Sequence, residues 1–226
     1  MAGRSVLETE TSETPALAAQ QFKRLTRELP VLVARLDHLE PTLVATIARG
    51  SSDHAAAFAG YLFGLQMGLP TASVPPSIAS VYGRTLRLDK ALVLAISQSG
   101  ASPDLCAAAG NAKAAGAFTL GLINRAESAL GRAVETQIET GAGNERAVAA
   151  TKSFILTLTA LAHLVAAWSR DASLLRALES LPATLAQCKT VDWGAAMRLL
   201  EGREDVFVVG RGPALPVARE FALKLK

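Results

Sequence analysis

The sequence predicts an α/β fold: a three-layer α/β/α sandwich on a parallel sheet, followed by the start of a second copy of the same unit. Three observations predict it. Short apolar runs alternate with longer segments of helical spacing. The run at 91–96, ALVLAI, is continuously apolar, as strands buried on both faces of a parallel sheet are. Near the end of the chain, DVFVVGRG repeats the pattern of TLVATIARG, an apolar run and then Arg-Gly, aligning Arg211 with Arg49.

Taken in order, residues 22–39 show helical spacing of Leu and Val, interrupted by Pro30. Residues 42–48 form the first strand; Arg49, Gly50, Ser51, Ser52 and Asp53 and a helix to Met67 follow. Residues 71–74 make a second strand, stopped by Pro75 and Pro76, and 77–82 a short helical turn. After the third strand come Ser97, Gln98, Ser99 and Gly100, then a helix over 102–115 that ends at Gly116. Strands at 118–123 and 134–139 precede a long helix over 148–169, and helical sequence continues over 172–200. The domains read as a leader and helix over 1–34, a first α/β domain over 35–170, a helical connector over 171–203, and a truncated second domain over 204–226. One strand and one helix cannot bury their faces alone, so Val206, Val208, Val209, Phe221, Leu223 and Leu225 are expected to lie more exposed than their types prefer.

Composition narrows the function. Half of the 226 residues are hydrophobic and 19% are charged, which suits a globular core rather than disorder. The net charge of +3 comes from scattered Lys and Arg with no aromatic interleaving, so no nucleic-acid partner is expected. Residues 1–15 are polar and acidic, unlike a secretory signal, and the apolar stretch 154–168 is short for a bilayer span. A cytoplasmic protein without a membrane partner is expected. Cys106 and Cys188, the only cysteines, read as reduced core thiols. No His, Cys or Asp grouping has metal spacing, and neither serine-rich loop matches a dinucleotide or P-loop pattern, so no metal and no cofactor are expected.

The candidate chemistry lies in those two loops. Gly50, Ser51 and Ser52 follow one buried strand; Ser97, Gln98, Ser99 and Ser102 follow another. Glycine admits a ligand close to the backbone, serines supply hydroxyls, and each following helix begins with unpaired N–H groups. In parallel sheets ligands bind outside the carboxyl ends of the strands. The loops therefore read as a cradle for a small phosphate ester, although Ser and Thr at such positions often serve simply as helix caps. As loop residues, Ser97 and Ser99 are expected to bear on binding more than on stability. His54 reads as a local packing residue, His163 as a core residue, Glu145 as equally a sugar-hydroxyl ligand or a surface group, and Lys152 as a partner for phosphate or for another subunit.

The segments IARGSSDHA, PPSIASVYGRTL, LAISQSGASPD, AGNERAVAATKSF and VVGRGPALPVAREFALKLK resemble, in order and spacing, the signature segments of the sugar isomerase (SIS) domain family. Within it they resemble the double-SIS amino-sugar enzymes, and RGSSDHA and AVAATKS resemble the glucosamine-6-phosphate deaminase branch more closely than the synthase branch. The resemblance implies a flavodoxin-like sheet and a hexosamine or hexose 6-phosphate as partner. Its phosphate would be held by Ser97, Gln98, Ser99 and Ser102, with Ser51 and Ser52 completing the shell and Gly50 and Val148 lining the sugar. It also implies a homodimer. The synthase pattern has a cysteine where Arg49 stands and a serine where Ala150 stands. In family members the proton-transferring glutamate directly follows KLK and a ring-opening histidine lies further on, so the catalytic pair is expected beyond Lys226. The implied function is glucosamine-6-phosphate deamination; the alternatives are a synthase-type isomerase or aminotransferase module, and a non-catalytic sugar-phosphate sensor.

Overall fold

The computed structural model describes residues 5–226. In chain order the elements are α1 (Val6–Leu39), β1 (Leu43–Ile47), α2 (Ser51–Met67), β2 (Thr71–Ser73), α3 (Ser77–Ser80), β3 (Ala91–Ser97), α4 (Pro103–Ala114), β4 (Phe118–Ile123), α5 (Ala129–Ala133), β5 (Thr136–Glu139), α6 (Lys152–Trp168), α7 (Ala172–Cys188), α8 (Gly194–Leu200) and α9 (Ala214–Lys224).

The strands form one sheet in the order β2-β1-β3-β4-β5, with every pair parallel. Each residue of β3 is buried, which explains the unbroken apolar run. Leu92, Leu94 and Ile96 face a core shared with α1, α2, α6 and α7. Ala91, Val93 and Ala95 face α4 and the α5 region on the other side. Helices thus cover both faces, and the three-layer expectation holds. The order in which the parallel strands are laid down reverses at β1: β2 is added on one side, then β3, β4 and β5 on the other. That reversal opens a crevice at the carboxyl ends of β1 and β3.

Helix α1 differs from the expected 22–39 segment: it starts at Val6 and passes through Pro15 and Pro30. An interior proline costs roughly 3 kcal/mol or more. A stripe of buried residues, Ala18, Leu25, Leu29, Leu32, Val33 and Leu36, offsets it by packing against α6 and α7. The first half was not visible as helix because several of its buried residues are polar: Glu10, Thr14 and Gln21. Gln21 donates from Nε2 to the carbonyls of Thr140 at 2.6 Å and Leu156 at 2.8 Å. Helix α6 begins at Lys152, four residues later than expected, because residues 144–151 form a loop.

The segment 205–209, expected as a strand, has no regular structure. A strand requires a bonding neighbour, and none lies beside it among the described residues. Val206, Phe207 and Val209 are 42%, 93% and 92% exposed, and Phe221, Leu223 and Leu225 are also exposed. Helix α9 nevertheless docks on α2, burying Pro216, Ala218 and Glu220. Cys188 is exposed, which corrects its reading as a core thiol; Cys106 is half-buried, and its thiol is pushed up by burial and by the Asp104 charge. Among the described residues no helix is long and apolar enough to cross a membrane, and no group of acidic, His or Cys side chains is arranged to hold a metal ion.

Candidate functional site

The two serine-rich loops meet where β1 and β3 end. Gly50 has a φ of +56° at the cap of α2 and Gly100 a φ of +61° in the second loop, conformations costly for residues with a Cβ. A Cβ on Gly100 would also collide with the Ser128 side chain. Both glycines therefore let the chain turn from strand into helix within a few residues.

The serines are not consumed as helix caps. Ser102 is the cap residue of α4, yet its side chain makes no cap bond, and the start of α2 has none either. Ser97 Oγ instead accepts the N–H of Gly100 at 3.0 Å, and Ser99 Oγ accepts that of Ala101 at 3.3 Å. These bonds curl the loop over the end of β3 and leave each hydroxyl hydrogen free to donate. Ser97 is buried and holds the Gly100 N–H; Gln98 and Ser99 are exposed.

Beside the loops lies a cavity of about 230 Å³ lined by Arg49, Ser51, Ser52, Gln98, Ala150 and, on α6, Ser153, Phe154 and Thr157. Of the expected site residues the structure brings Ser51, Ser52 and Gln98 into this wall. Gly50, Ser97, Ser99 and Ser102 flank it without lining it, and Val148 is fully exposed. Ser153 and Thr157 escaped the sequence reading, although two hydroxyls at i and i+4 on an apolar helix were the available sign. At the mouth Arg49 pairs with Asp104 at 2.9 Å, placing a guanidinium beside the start of α4.

The loop 144–151 closes the far side. Glu145 is neither a surface group nor a free ligand: its Oε1 accepts the N–H groups of Thr151 at 2.7 Å and Lys152 at 2.8 Å, and its Oε2 that of Ser153 at 3.4 Å. It thereby caps α6 and satisfies the dipole end. Gln98 Nε2 donates to Glu145 Oε2 at 3.4 Å, linking this cap to the second serine loop. Lys152 points away, its Nζ bonding Glu13 at 2.6 Å. His163 is buried and stacked on Phe22 with ring centroids 4.8 Å apart, as a core residue should be.

Behind the first loop, α9 packs on α2. His54 Nδ1 lies 2.8 Å from Glu220 Oε2, and Lys224 Nζ lies 2.8 Å from Glu220 Oε1. Burial raises the Glu220 carboxyl, but bonds from Lys224, His54 and Ser51 outweigh it and leave the group below its ordinary range. His54, expected to pack locally, is thus held by a carboxylate 166 residues away, and Ser51 faces both the cavity and this cluster.

Residues 43–167, more than half the chain, match the SIS domain. The chain belongs to the SIS domain family. An isomerizing glutamine–fructose-6-phosphate aminotransferase of Aquifex aeolicus is 37% identical over 188 residues, covering 81% of this chain and 31% of that protein. This chain therefore spans about a third of the length of the curated relatives it matches. A chain from Silicibacter pomeroyi DSS-3, described as a candidate phosphosugar isomerase, superimposes with a TM-score of 0.95 at 41% identity, covering 99% of this chain and 68% of that one. The C-terminal domain of the Francisella tularensis glucosamine-fructose-6-phosphate aminotransferase shares the fold, with a TM-score of 0.84 at 23% identity and coverage of 100% and 67%.

Proposed function

We propose that this SIS domain binds a hexose 6-phosphate and belongs to a synthase-type isomerase or aminotransferase acting on fructose 6-phosphate. The observation that carries the reading is the cleft itself. A β3–α4 loop whose Ser97 and Ser99 hydroxyls accept backbone N–H groups and keep their own hydrogens, and two helix starts without side-chain caps, converge at the crevice between β1 and β3, beside a cavity of about 230 Å³. The phosphate rests on residues 97–102, taking bonds from Ser97, Ser99 and Ser102 and from the N–H groups at the start of α4. The sugar extends into the cavity, past Gln98, Ser51 and Ser52 toward Ala150 and Ser153. The kinship with the aminotransferases of fructose 6-phosphate supports the substrate class. Isomerisation moves a proton between C1 and C2 and needs an acid–base pair near those carbons. The reading places that pair after Lys226, in a second SIS unit begun by residues 204–226, and takes the working form as a cytoplasmic homodimer.

Deamination of glucosamine 6-phosphate is the second reading, carried by Arg49 and Ala150. Both line the cavity where the synthase pattern has other residues. Two parallel assays, run on the protein carrying the second SIS unit in which the acid–base pair is placed, separate the readings. Fructose 6-phosphate with ammonia is followed for amino-sugar formation, and glucosamine 6-phosphate alone for ammonia release. The main reading expects the first reaction to exceed the second; ammonia release with no synthesis would replace it with the deaminase. A chain that binds neither sugar phosphate at millimolar concentration would end both.

A further inference from the structure

Between Glu10 and Arg24, α1 is bonded at five residues to the segment 139–156, which includes the loop at the sugar end of the cleft. Glu10 Oε1 accepts the N–H of Arg146 at 2.6 Å, and its Oε2 accepts that of Ala147 at 3.0 Å. Thr11 Oγ1 meets Thr151 Oγ1 at 3.1 Å. Glu13 pairs with Lys152, and Gln21 holds the carbonyls of Thr140 and Leu156. Arg24 bonds the carbonyl of Glu139. Of these groups Glu10 is the one whose side chain grips the loop backbone at two adjacent residues, and it is buried at 6% exposure.

Such a carboxylate is an unusual use of a helix's second turn. A loop with small side chains (Ala147, Ala149 and Ala150) and glycines at 141 and 143 has little packing of its own to fix it. Its conformation matters because Glu145, next to the gripped amides, caps α6 and bonds Gln98, while Ala150 lines the cavity. Two charge-assisted bonds to adjacent amides fix both position and orientation of that backbone. The N–H of Arg146 is the main influence holding the Glu10 carboxyl below its ordinary value; burial opposes it, and the N–H of Ala147 adds to it. Glu10 is therefore an anion at neutral pH and a full-strength acceptor.

We propose that Glu10 is a positioning residue for the sugar end of the cleft: it clamps the loop 145–151 and thereby sets Glu145 and Ala150 for the sugar, without bearing on the Ser97, Ser99 and Ser102 hydroxyls that take the phosphate. The inference rests on the reading of the cleft as a hexose 6-phosphate site. It separates two halves of the site, a phosphate half built from the β3–α4 loop and a sugar half whose geometry is imposed by α1.

The test uses the full chain carrying Glu10→Gln, which keeps the size of the side chain but presents an amide where two acceptors are needed. Hydrogen exchange at the Arg146 and Ala147 amides is read first, since it reports the clamp without any ligand. Titration calorimetry then compares fructose 6-phosphate with inorganic phosphate. The proposal expects exchange at both amides to speed up by tenfold or more, fructose 6-phosphate affinity to fall about tenfold, and inorganic phosphate affinity to change less than twofold. If Glu10→Gln lowers Tm substantially, Glu10→Asp gives a graded version, with the same selective loss at smaller size. Unchanged exchange, an unchanged affinity for fructose 6-phosphate, or an equal loss for both ligands would each overturn the positioning role. Wild-type chain that binds inorganic phosphate and fructose 6-phosphate equally weakly would instead overturn the site reading, with the exchange result still reporting on the clamp.

Discussion

His54, in the first turn of α2, and Glu220, in α9, meet at 2.8 Å across 166 residues of sequence, and Lys224 closes the cluster from the next turn of α9. Glu220 is almost fully buried, whereas His54 and Lys224 keep part of their side chains in solvent. The pair adds to the contacts of Pro216 and Ala218 in fastening a helix whose Phe221, Leu223 and Leu225 are exposed.

Substituting Glu220→Ala should release α9. Breaking a fully buried pair costs roughly 3–5 kcal/mol, and less here because its two partners can rehydrate. Trypsin cleavage after Arg219, followed by mass spectrometry, is expected to accelerate at least tenfold while the sheet keeps its melting temperature within a few degrees. A cleavage rate equal to wild type would show that apolar contacts, and not the charge cluster, dock the helix.

The legibility of the molecule followed its hydrophobic pattern. The strands, their parallel arrangement and the two serine loops could be read because β3 is continuously apolar and Gly-Ser turns mark strand ends. What stayed hidden is held by polar groups. The first half of α1 buries Glu10 and Gln21 against a segment more than a hundred residues away, and no local pattern encodes such pairing. Glu145 was visible as a residue near the site but not as the cap of α6, because that role depends on where the loop folds back. The strand expected at 205–209 failed for a different reason: its sequence is apt, but strand structure belongs to a pair.

His163 should make stability depend on pH. Burial holds its imidazole at about 4 instead of the ordinary 6.5, so the unfolded chain binds a proton more readily than the folded one. A group with a depressed folded value contributes fully above about 6.5, and that contribution fades as pH falls toward 4. His163→Phe, which keeps an aromatic ring against Phe22, is expected to lose fewer degrees of Tm between pH 7 and pH 5 than wild type. Equal losses in the two proteins would place the acid sensitivity elsewhere.

Glu10 has a similar sign at lower pH. Its carboxyl is held below the ordinary 4.5, chiefly by the N–H of Arg146, so its clamp is complete above that value and is lost as pH falls through the folded one. Exchange protection of Arg146 and Ala147, corrected for intrinsic rates, should therefore hold down to pH 5 in wild type. Protection already collapsing between pH 7 and pH 6 would contradict this.

Ser97 and Ser99 should separate by function. Ser97→Ala is expected to cost about 1 kcal/mol of stability, because the buried hydroxyl accepts the Gly100 N–H, and also to weaken hexose 6-phosphate binding. Ser99→Ala should leave stability within about 0.5 kcal/mol of wild type and weaken binding by about 1–3 kcal/mol through loss of a charge-assisted bond. Denaturant melts paired with calorimetry decide it; a Ser99→Ala variant with native affinity would remove that residue from the phosphate cradle.

On the proposed reading, a hexose 6-phosphate places its phosphate on the β3–α4 loop and its sugar toward α6. A crystal structure of the chain with fructose 6-phosphate bears on this without intermediaries. The phosphorus is expected over residues 97–102, its oxygens within hydrogen-bond distance of the Ser97, Ser99 and Ser102 hydroxyls, and the sugar carbons between Ser51 and Ala150. A phosphate bound elsewhere, or a cleft that stays empty at saturating ligand, would contradict it.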